Sequence, residues 1–229
     1  MGSSGVYAGW WRDGWRCGMK KPIRPGLYYF HNEKGYDGGA QMAGSQYTAT
    51  WAQLEPYDGQ YDWSALDKWV KIEKERGHAW VLRIDVHQNR GARSLPGWVP
   101  KITLRMADGH TVEVPDYASP ALHVGMYRLV EAVGARYDVD PDLVLVQIGL
   151  GLYGETHPER DDSQGSLCTQ LVNSGKLTGC QWIEYCKRMI NYYVGAFPTT
   201  ELVVMNAPAF PFGCRATTSP FATSYPRRC

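Results

Sequence analysis

The stretch Leu143-Val144-Leu145-Val146-Gln147-Ile148-Gly149-Leu150-Gly151-Leu152-Tyr153-Gly154-Glu155 decides the fold. Its first half is a nearly continuous apolar run, the pattern of a strand buried on both faces in a parallel sheet covered by helices. Gly149, Gly151 and Gly154 then break the run, and it ends on the carboxylate of Glu155. A parallel strand that delivers an acid at its carboxyl end places that acid where sheets wound with helices carry their reacting groups. The competing reading is a core strand followed by a solvated loop glutamate. The flanking sequence has to decide between them.

Working back toward the amino terminus, Ala121 to Tyr137 predicts a helix, with Leu122, Val124, Tyr127, Leu129, Val130 and Val133 at near-helical spacing. Ahead of it, Ile102 to Met106 and Thr111 to Val114 pair as a small hairpin turned at Asp108-Gly109, inside a long loop. His78 to Val86 reads as a strand. Trp63 to Arg76 reads as a helix capped by Asp62 and stopped by Gly77. Gln46 to Glu55 and Gly26 to Asn32 read as two further strands. Working forward, 157–179 is a polar loop, Gln181 to Phe197 a helix, and Glu201 to Met205 a fifth strand. Strand and helix alternate from 46 to 206, which predicts a parallel α/β sheet with right-handed crossovers. An open doubly wound sheet is the alternative, but no strand-to-helix turn carries a glycine-rich phosphate loop.

Three regions follow: an irregular arm over 1–25, the α/β body over 26–215, and an irregular tail over 216–229. The arm opens Met1-Gly2-Ser3-Ser4-Gly5, without the basic and apolar regions of a signal peptide, and reads as an artificial start. The 229 residues, 44% hydrophobic, can bury a sizeable core, and no apolar run approaches a membrane span. The formal charge of +1 and scattered lysines and arginines exclude a dedicated surface for nucleic acid or anionic membrane. Nine Trp and fifteen Tyr against five Phe favour flat faces with polar edges, which suit sugar rings as well as a large core. None of the six cysteines forms a C-x-x-C pair. Cys168 and Cys180 bracket a polar loop that a disulfide could staple, which would fit an extracellular or periplasmic protein.

One segment carries a resemblance. Trp51-Ala52-Gln53-Leu54-Glu55-Pro56-Tyr57-Asp58-Gly59-Gln60-Tyr61-Asp62-Trp63 gives W-x-x-L-E-P-x-x-G-x-Y-D-W, followed by Leu66-Asp67. Leu82-Arg83-Ile84, Pro96-Gly97-Trp98-Val99, Pro115-Asp116-Tyr117, Arg136-Tyr137-Asp138 and Leu152-Tyr153-Gly154-Glu155 continue the series in order. Over about 25–215 the chain resembles the clan A glycoside hydrolases, most nearly the family 42 β-galactosidase-like barrels. The resemblance implies a TIM (β/α)8-type barrel, here incomplete with about five strands, that hydrolyses glycosidic bonds of a poly- or oligosaccharide with two carboxylates. It implies that Glu155, at the end of the fourth strand, is the general acid/base. Its proton affinity would be held up by Tyr153 and the flanking leucines. This chain has Gly154-Glu155 where many members have Asn-Glu. The clan's nucleophile, about 5 Å from the acid, lies on strand 7, beyond the expected reach of these residues. Gly213-Cys214-Arg215 resembles the start of strand 6, and 217–229 does not continue it.

Strand-end candidates for lining a sugar site are Glu55, Arg83, Asp85, His87, Gln147 and Asn206, with an internal ion pair such as Arg83 with Asp85 or Glu55 as the alternative. Trp51 and Trp98 are candidates for stacking under a ring, against ordinary core packing. His87, His157, Glu159 and Asp161 could be drawn as a metal site, but no helix sets two of them at i and i+4, so no metal or other cofactor is expected. Asp161-Asp162 with Ser163 and Gln164 reads as a solvated loop. A carbohydrate-binding barrel fragment without catalysis, and an unrelated α/β binding protein, remain the rival readings.

Overall fold

The computed structural model describes residues 20–30, 34, 39, 41–88, 94–163 and 165–205. Five strands form one parallel sheet: β1 (Leu27–Tyr29), β2 (Met42–Thr50), β3 (Ala79–Asp85), β6 (Leu143–Ile148) and β9 (Glu201–Val204), in that spatial order. The crossovers carry α1 (Trp51–Leu54) and α2 (Ser64–Glu75), then α3 (Pro120–Tyr137), then α4 (Leu167–Asn173) and α5 (Gly179–Ala196). Two small antiparallel hairpins, β4 (Lys101–Arg105) with β5 (Thr111–Pro115) and β7 (Asp161–Asp162) with β8 (Gly165–Ser166), sit in the loops. The strand that opened the sequence reading is thus fourth of five, as expected. This is the α/β pattern of part of a TIM barrel.

The two faces of the sheet differ in composition because side chains alternate along a strand. One face (Trp80, Leu82 and Ile84 of β3; Val146 and Ile148 of β6) packs on Leu66 and Trp69 of α2, Met126 and Val130 of α3, and Tyr185 and Met189 of α5. The other face carries Ala79, Val81 and Val144 with Tyr28 and Leu145 against them. Farther along that face of β3 come Arg83 and Asp85. α3 and α5 cross closely at Gly134, where an added Cβ would lie 2.3 Å from the Ala196 carbonyl oxygen. Asp67 ties α2 to α3 by accepting from Arg136 and from the Tyr137 hydroxyl.

Three expectations need correction. The second strand ends at Thr50, and Trp51–Leu54 turn as a helix. The Thr50 hydroxyl accepts from the Gln53 amide while the Gln53 side chain accepts from the Thr50 amide, a capping box that outweighs the strand-like aromatics. The 157–179 loop contains α4, whose Leu167, Cys168 and Leu171 are buried. The Cys168–Cys180 disulfide is not formed: Cys168 faces the core from α4, Cys180 is exposed in the first turn of α5, and both are free. Burial instead pushes the Cys168 thiol up to about 12, with Asp161 and Glu159 adding to the effect. Cys17, Cys214 and Cys229 lie outside the described residues.

The last residues of the arm are fastened to the body. Lys20 Nζ donates to the carbonyls of Phe197 (3.3 Å) and Thr200 (2.8 Å). Lys21 Nζ donates to those of Asp138 (2.9 Å) and Asp140 (2.7 Å). Arg24 reaches the Gly77 carbonyl and the Asp142 carboxylate. All these acceptors lie at the amino-terminal end of the sheet. Among the described residues no helix is long and apolar enough to cross a membrane.

Candidate active site at the carboxyl end of the sheet

Past Ile148 the chain leaves β6 through a backbone too tight for side chains. A Cβ on Gly149 would lie 1.9 Å from the Ile84 carbonyl oxygen, and one on Gly151 would lie 1.9 Å from that of His157. Tyr153 (φ 56°) and Gly154 (φ 74°) then adopt consecutive left-handed conformations, and the Glu155 amide donates to the Leu152 carbonyl at 3.1 Å. Two left-handed residues under such a bond are the signature of a type I′ turn. The turn is anchored on both sides: the Tyr153 amide donates to the His87 carbonyl at 2.8 Å, and the Gly151 amide to that of Glu155 at 2.9 Å. A parallel bridge joins Glu155 to Met205, just beyond β9. Glu155 therefore sits on a rigid reversal between the ends of β3 and β9.

Its carboxylate meets an imidazole. His157 Nε2 lies 2.9 Å from Glu155 Oε2, at ion-pair distance but outside hydrogen-bond alignment. The Glu155 side chain is 28% exposed against 8% for His157. The expected apolar wall takes another form: Leu150 and Leu152 are buried in the core, and the Tyr153 ring lies under the Arg160 guanidinium, 5.3 Å away. Burial holds the His157 imidazole below its ordinary proton affinity, against the opposing pull of Glu155.

The structure brings Arg83, Asp85, His87 and Gln147 to the same end. Arg83 and Asp85 form a buried ion pair, Nε to Oδ1 at 2.8 Å, directly behind the turn: a Cβ on Gly154 would lie 3.1 Å from Asp85 Oδ1. The internal pairing weighed for Arg83 is the one observed, with Asp85 and not Glu55. Arg83 also lies over the Phe30 ring at 5.5 Å. Gln147 is its register partner on β6, and the Gln147 Nε2 is buried without a hydrogen-bond partner. His87 Nε2 lies 2.8 Å from Glu159 Oε1, in a fully enclosed pair.

Glu55, Trp51 and Trp98 are placed elsewhere. Glu55 is fully buried. Its Oε2 accepts from the Trp51 indole and its Oε1 from the Gly59 amide, both at 2.8 Å, so it braces the loop after α1 and presents nothing to a sugar. Trp51 is fully buried and meets Trp98 edge to face at 5.5 Å, both rings against Gly125 of α3. Packing against a helix, the alternative weighed for both, is what these rings do here. Asn206 lies outside the described residues. A hollow of about 290 Å³ lies between β2, α1 and α2, lined by Tyr47, Ala49, Gln53, Leu54, Asp62 and Leu66, and touches none of these groups.

His157 and Glu159 entered the sequence reading only as metal ligands, and among the described residues no group of histidine, cysteine and carboxylate side chains is arranged to hold a metal. The signal that was available is the alternation Glu155, His157, Glu159, which in extended chain sets like-facing side chains two residues apart.

A parallel sheet wound with helices, with a glutamate on a fixed turn at the end of its fourth strand, is the class of a β/α barrel of the carbohydrate-hydrolysing type. The chain belongs to glycoside hydrolase family 42, β-galactosidase, whose sequence profile matches residues 45–160, half of its length. No curated protein matches it by sequence. Among solved structures it is similar to the catalytic domain of β-amylase from Paenibacillus polymyxa, with 12% identity, TM-score 0.52, and coverage of 76% of this chain and 60% of that one. It is also similar to GH5_18 from Streptomyces cattleya, solved in complex with GlcNAc, at 13% identity and TM-score 0.51, covering 83% of this chain and 45% of that one. An exo-β-1,4-mannosidase from Opitutaceae bacterium strain TAV5 matches at 16% identity and TM-score 0.48, over 70% of this chain and 24% of that one. At such identities the likeness is one of fold, and the chain spans between 24% and 60% of the length of these proteins.

Proposed function

We propose that this chain carries the acid/base half of a retaining glycoside hydrolase site, with Glu155 as the proton donor. The observation that carries the reading is the contrast among four carboxylates at or just past the ends of β2, β3 and β6, Glu55, Asp85, Glu155 and Glu159. Glu55, Asp85 and Glu159 are fully buried, the first held by Trp51 and Gly59, the second by Arg83 and the third by His87. Glu155 alone of the four is partly open to solvent, on a rigid turn.

Chemically, Glu155 protonates the glycosidic oxygen as the sugar–oxygen bond breaks, then takes a proton from the water that completes hydrolysis. The partner carboxylate that attacks the sugar carbon is contributed from outside the described residues. The substrate class is a poly- or oligosaccharide. Turnover of a panel of aryl glycosides by the wild type and by Glu155→Gln tests the role. Loss of a general acid/base should lower kcat/KM by about 10²–10⁴-fold. Turnover indifferent to Glu155→Gln would sink the assignment. Sugar-dependent quenching of tryptophan fluorescence with no turnover in either protein would leave a carbohydrate-binding module.

A further inference from the structure

We infer that His157 is the positioning residue for Glu155, holding one carboxylate oxygen so that the other is left for the substrate. The inference rests on the reading of Glu155 as acid/base. The geometry has three parts. His157 Nε2 stands 2.9 Å from Glu155 Oε2, outside hydrogen-bond alignment, and among the described residues that nitrogen has no hydrogen-bond partner. Both residues are fixed to the adjoining backbone: the Leu152 amide donates to the His157 carbonyl at 3.0 Å, and the Gly151 amide to that of Glu155 at 2.9 Å. The imidazole is nearly enclosed while the carboxylate is not. A ring fixed from behind, facing a carboxylate open in front, is the arrangement that locks a reacting group to within a few tenths of an ångström.

The surroundings keep that ring neutral. Facing it are Glu155, Glu159 and Arg160 from its own segment and His87 from the end of β3. From α5 comes only the uncharged indole of Trp182, which donates to the Thr156 carbonyl at 3.3 Å. Tyr117 closes the far side by donating to the Pro158 carbonyl at 3.1 Å. A neutral imidazole in its Nε2–H tautomer, brought into line by a small side-chain rotation, would offer one hydrogen to the carboxylate formed when Glu155 gives up its proton to the leaving oxygen. It carries no proton of its own to or from the sugar. The proton that Glu155 loses goes to the leaving group, and the one it regains comes from water.

The test is read in the chain without substrate. The His157 imidazole is titrated by proton–carbon NMR in the wild type and in Glu155→Gln, an isosteric change whose fold the same spectra report. Removing a charge at this separation should lower the His157 midpoint by about one pH unit. The side-chain carbon titration of Glu155 should shift in return in His157→Gln, while that of the remote, exposed Glu113 stays fixed. A histidine turned away from Glu155 in solution would move neither. An unchanged His157 midpoint in Glu155→Gln overturns the inference, and with Glu155-dependent turnover intact it overturns this inference alone. Coupling of the two groups in a protein whose turnover ignores Glu155→Gln overturns the acid/base reading beneath it.

Discussion

At the amino-terminal end of the sheet, Glu73 of α2 is fully buried and accepts from the Ser45 hydroxyl and from Arg76 (3.0 Å), with His78 Nδ1 at 3.0 Å. Beside it, Asp138 accepts from the amides of Thr199 (3.1 Å) and Thr200 (2.9 Å) and from the Thr199 hydroxyl (2.9 Å). Both ends leave some buried groups without hydrogen bonds, Trp80 Nε1 and Thr200 Oγ1 at the amino-terminal end and the Gln147 amide nitrogen and His157 Nε2 at the carboxyl end, but at the carboxyl end Tyr153 also takes a left-handed backbone that tyrosine rarely adopts. Satisfied buried groups stabilise a fold. Unsatisfied ones and unusual backbone conformations cost free energy and persist where surrounding structure enforces them. The backbone strain at Tyr153 is what distinguishes the carboxyl end, the end at which barrels generally carry their reacting groups.

The comparison can be broken from either side. The largest effect should come from Glu73→Ala, which strands Arg76 and His78 and should cost about 3 kcal/mol in urea unfolding, with the His157 titration unchanged. A response at His157 would show that the two ends are not independent. Glu55→Gln should be milder, about 1 kcal/mol, because the amide still accepts one of the two bonds. Sugar binding should be unaffected, and a weakened affinity measured by tryptophan fluorescence would return Glu55 to the site.

The acid limb of stability gives a smaller effect. Burial sets the folded-state pKa of His157 below its ordinary value of 6.5. Its contribution is therefore fully present above that value and is lost as pH falls through the folded one. His157→Gln should flatten the decline of Tm below about pH 6, and a decline unaltered by the substitution would place the acid sensitivity elsewhere. Smallest of all is Glu155→Gln itself, which should leave stability within about 0.5 kcal/mol by the same urea assay. A larger loss would make Glu155 a structural residue like Glu73.

Much of this was legible in the chain because burial writes itself as periodicity. The Leu143–Ile148 run, the helix spacing in α2 and α3 and the Asp108-Gly109 turn each follow from local rules, and Gly109 does take a positive φ of 89°. The ordered motifs set Glu155 at the fourth strand. What escaped depended on contacts between distant segments. Glu73 sits in Lys-Ile-Glu-Lys-Glu, a run that reads as solvated until Ser45, 28 residues earlier, closes over it. Trp98 has the loop context of a stacking ring, but Gly125, which makes room for it on α3, comes much later in the chain. α4 is too short for its period to rise above the polar residues around it. On the sequence, His157 is weighed only as a metal ligand and set aside. Its relation to Glu155 depends on a turn that only Gly151, Tyr153 and Gly154 together define.

The lysine clasp at the amino-terminal end also has a kinetic meaning. Lys20 and its acceptors at Phe197 and Thr200 are separated by 177 and 180 residues, among the longest loops the described chain can close. Closing such a loop is entropically costly and brings no reward until its far end is in place, so contacts of this span form late in folding. During synthesis Lys20 emerges well before its acceptors Phe197 and Thr200 are made. The clasp can therefore shut only once α5 is made and the turn leading into β9 is in place.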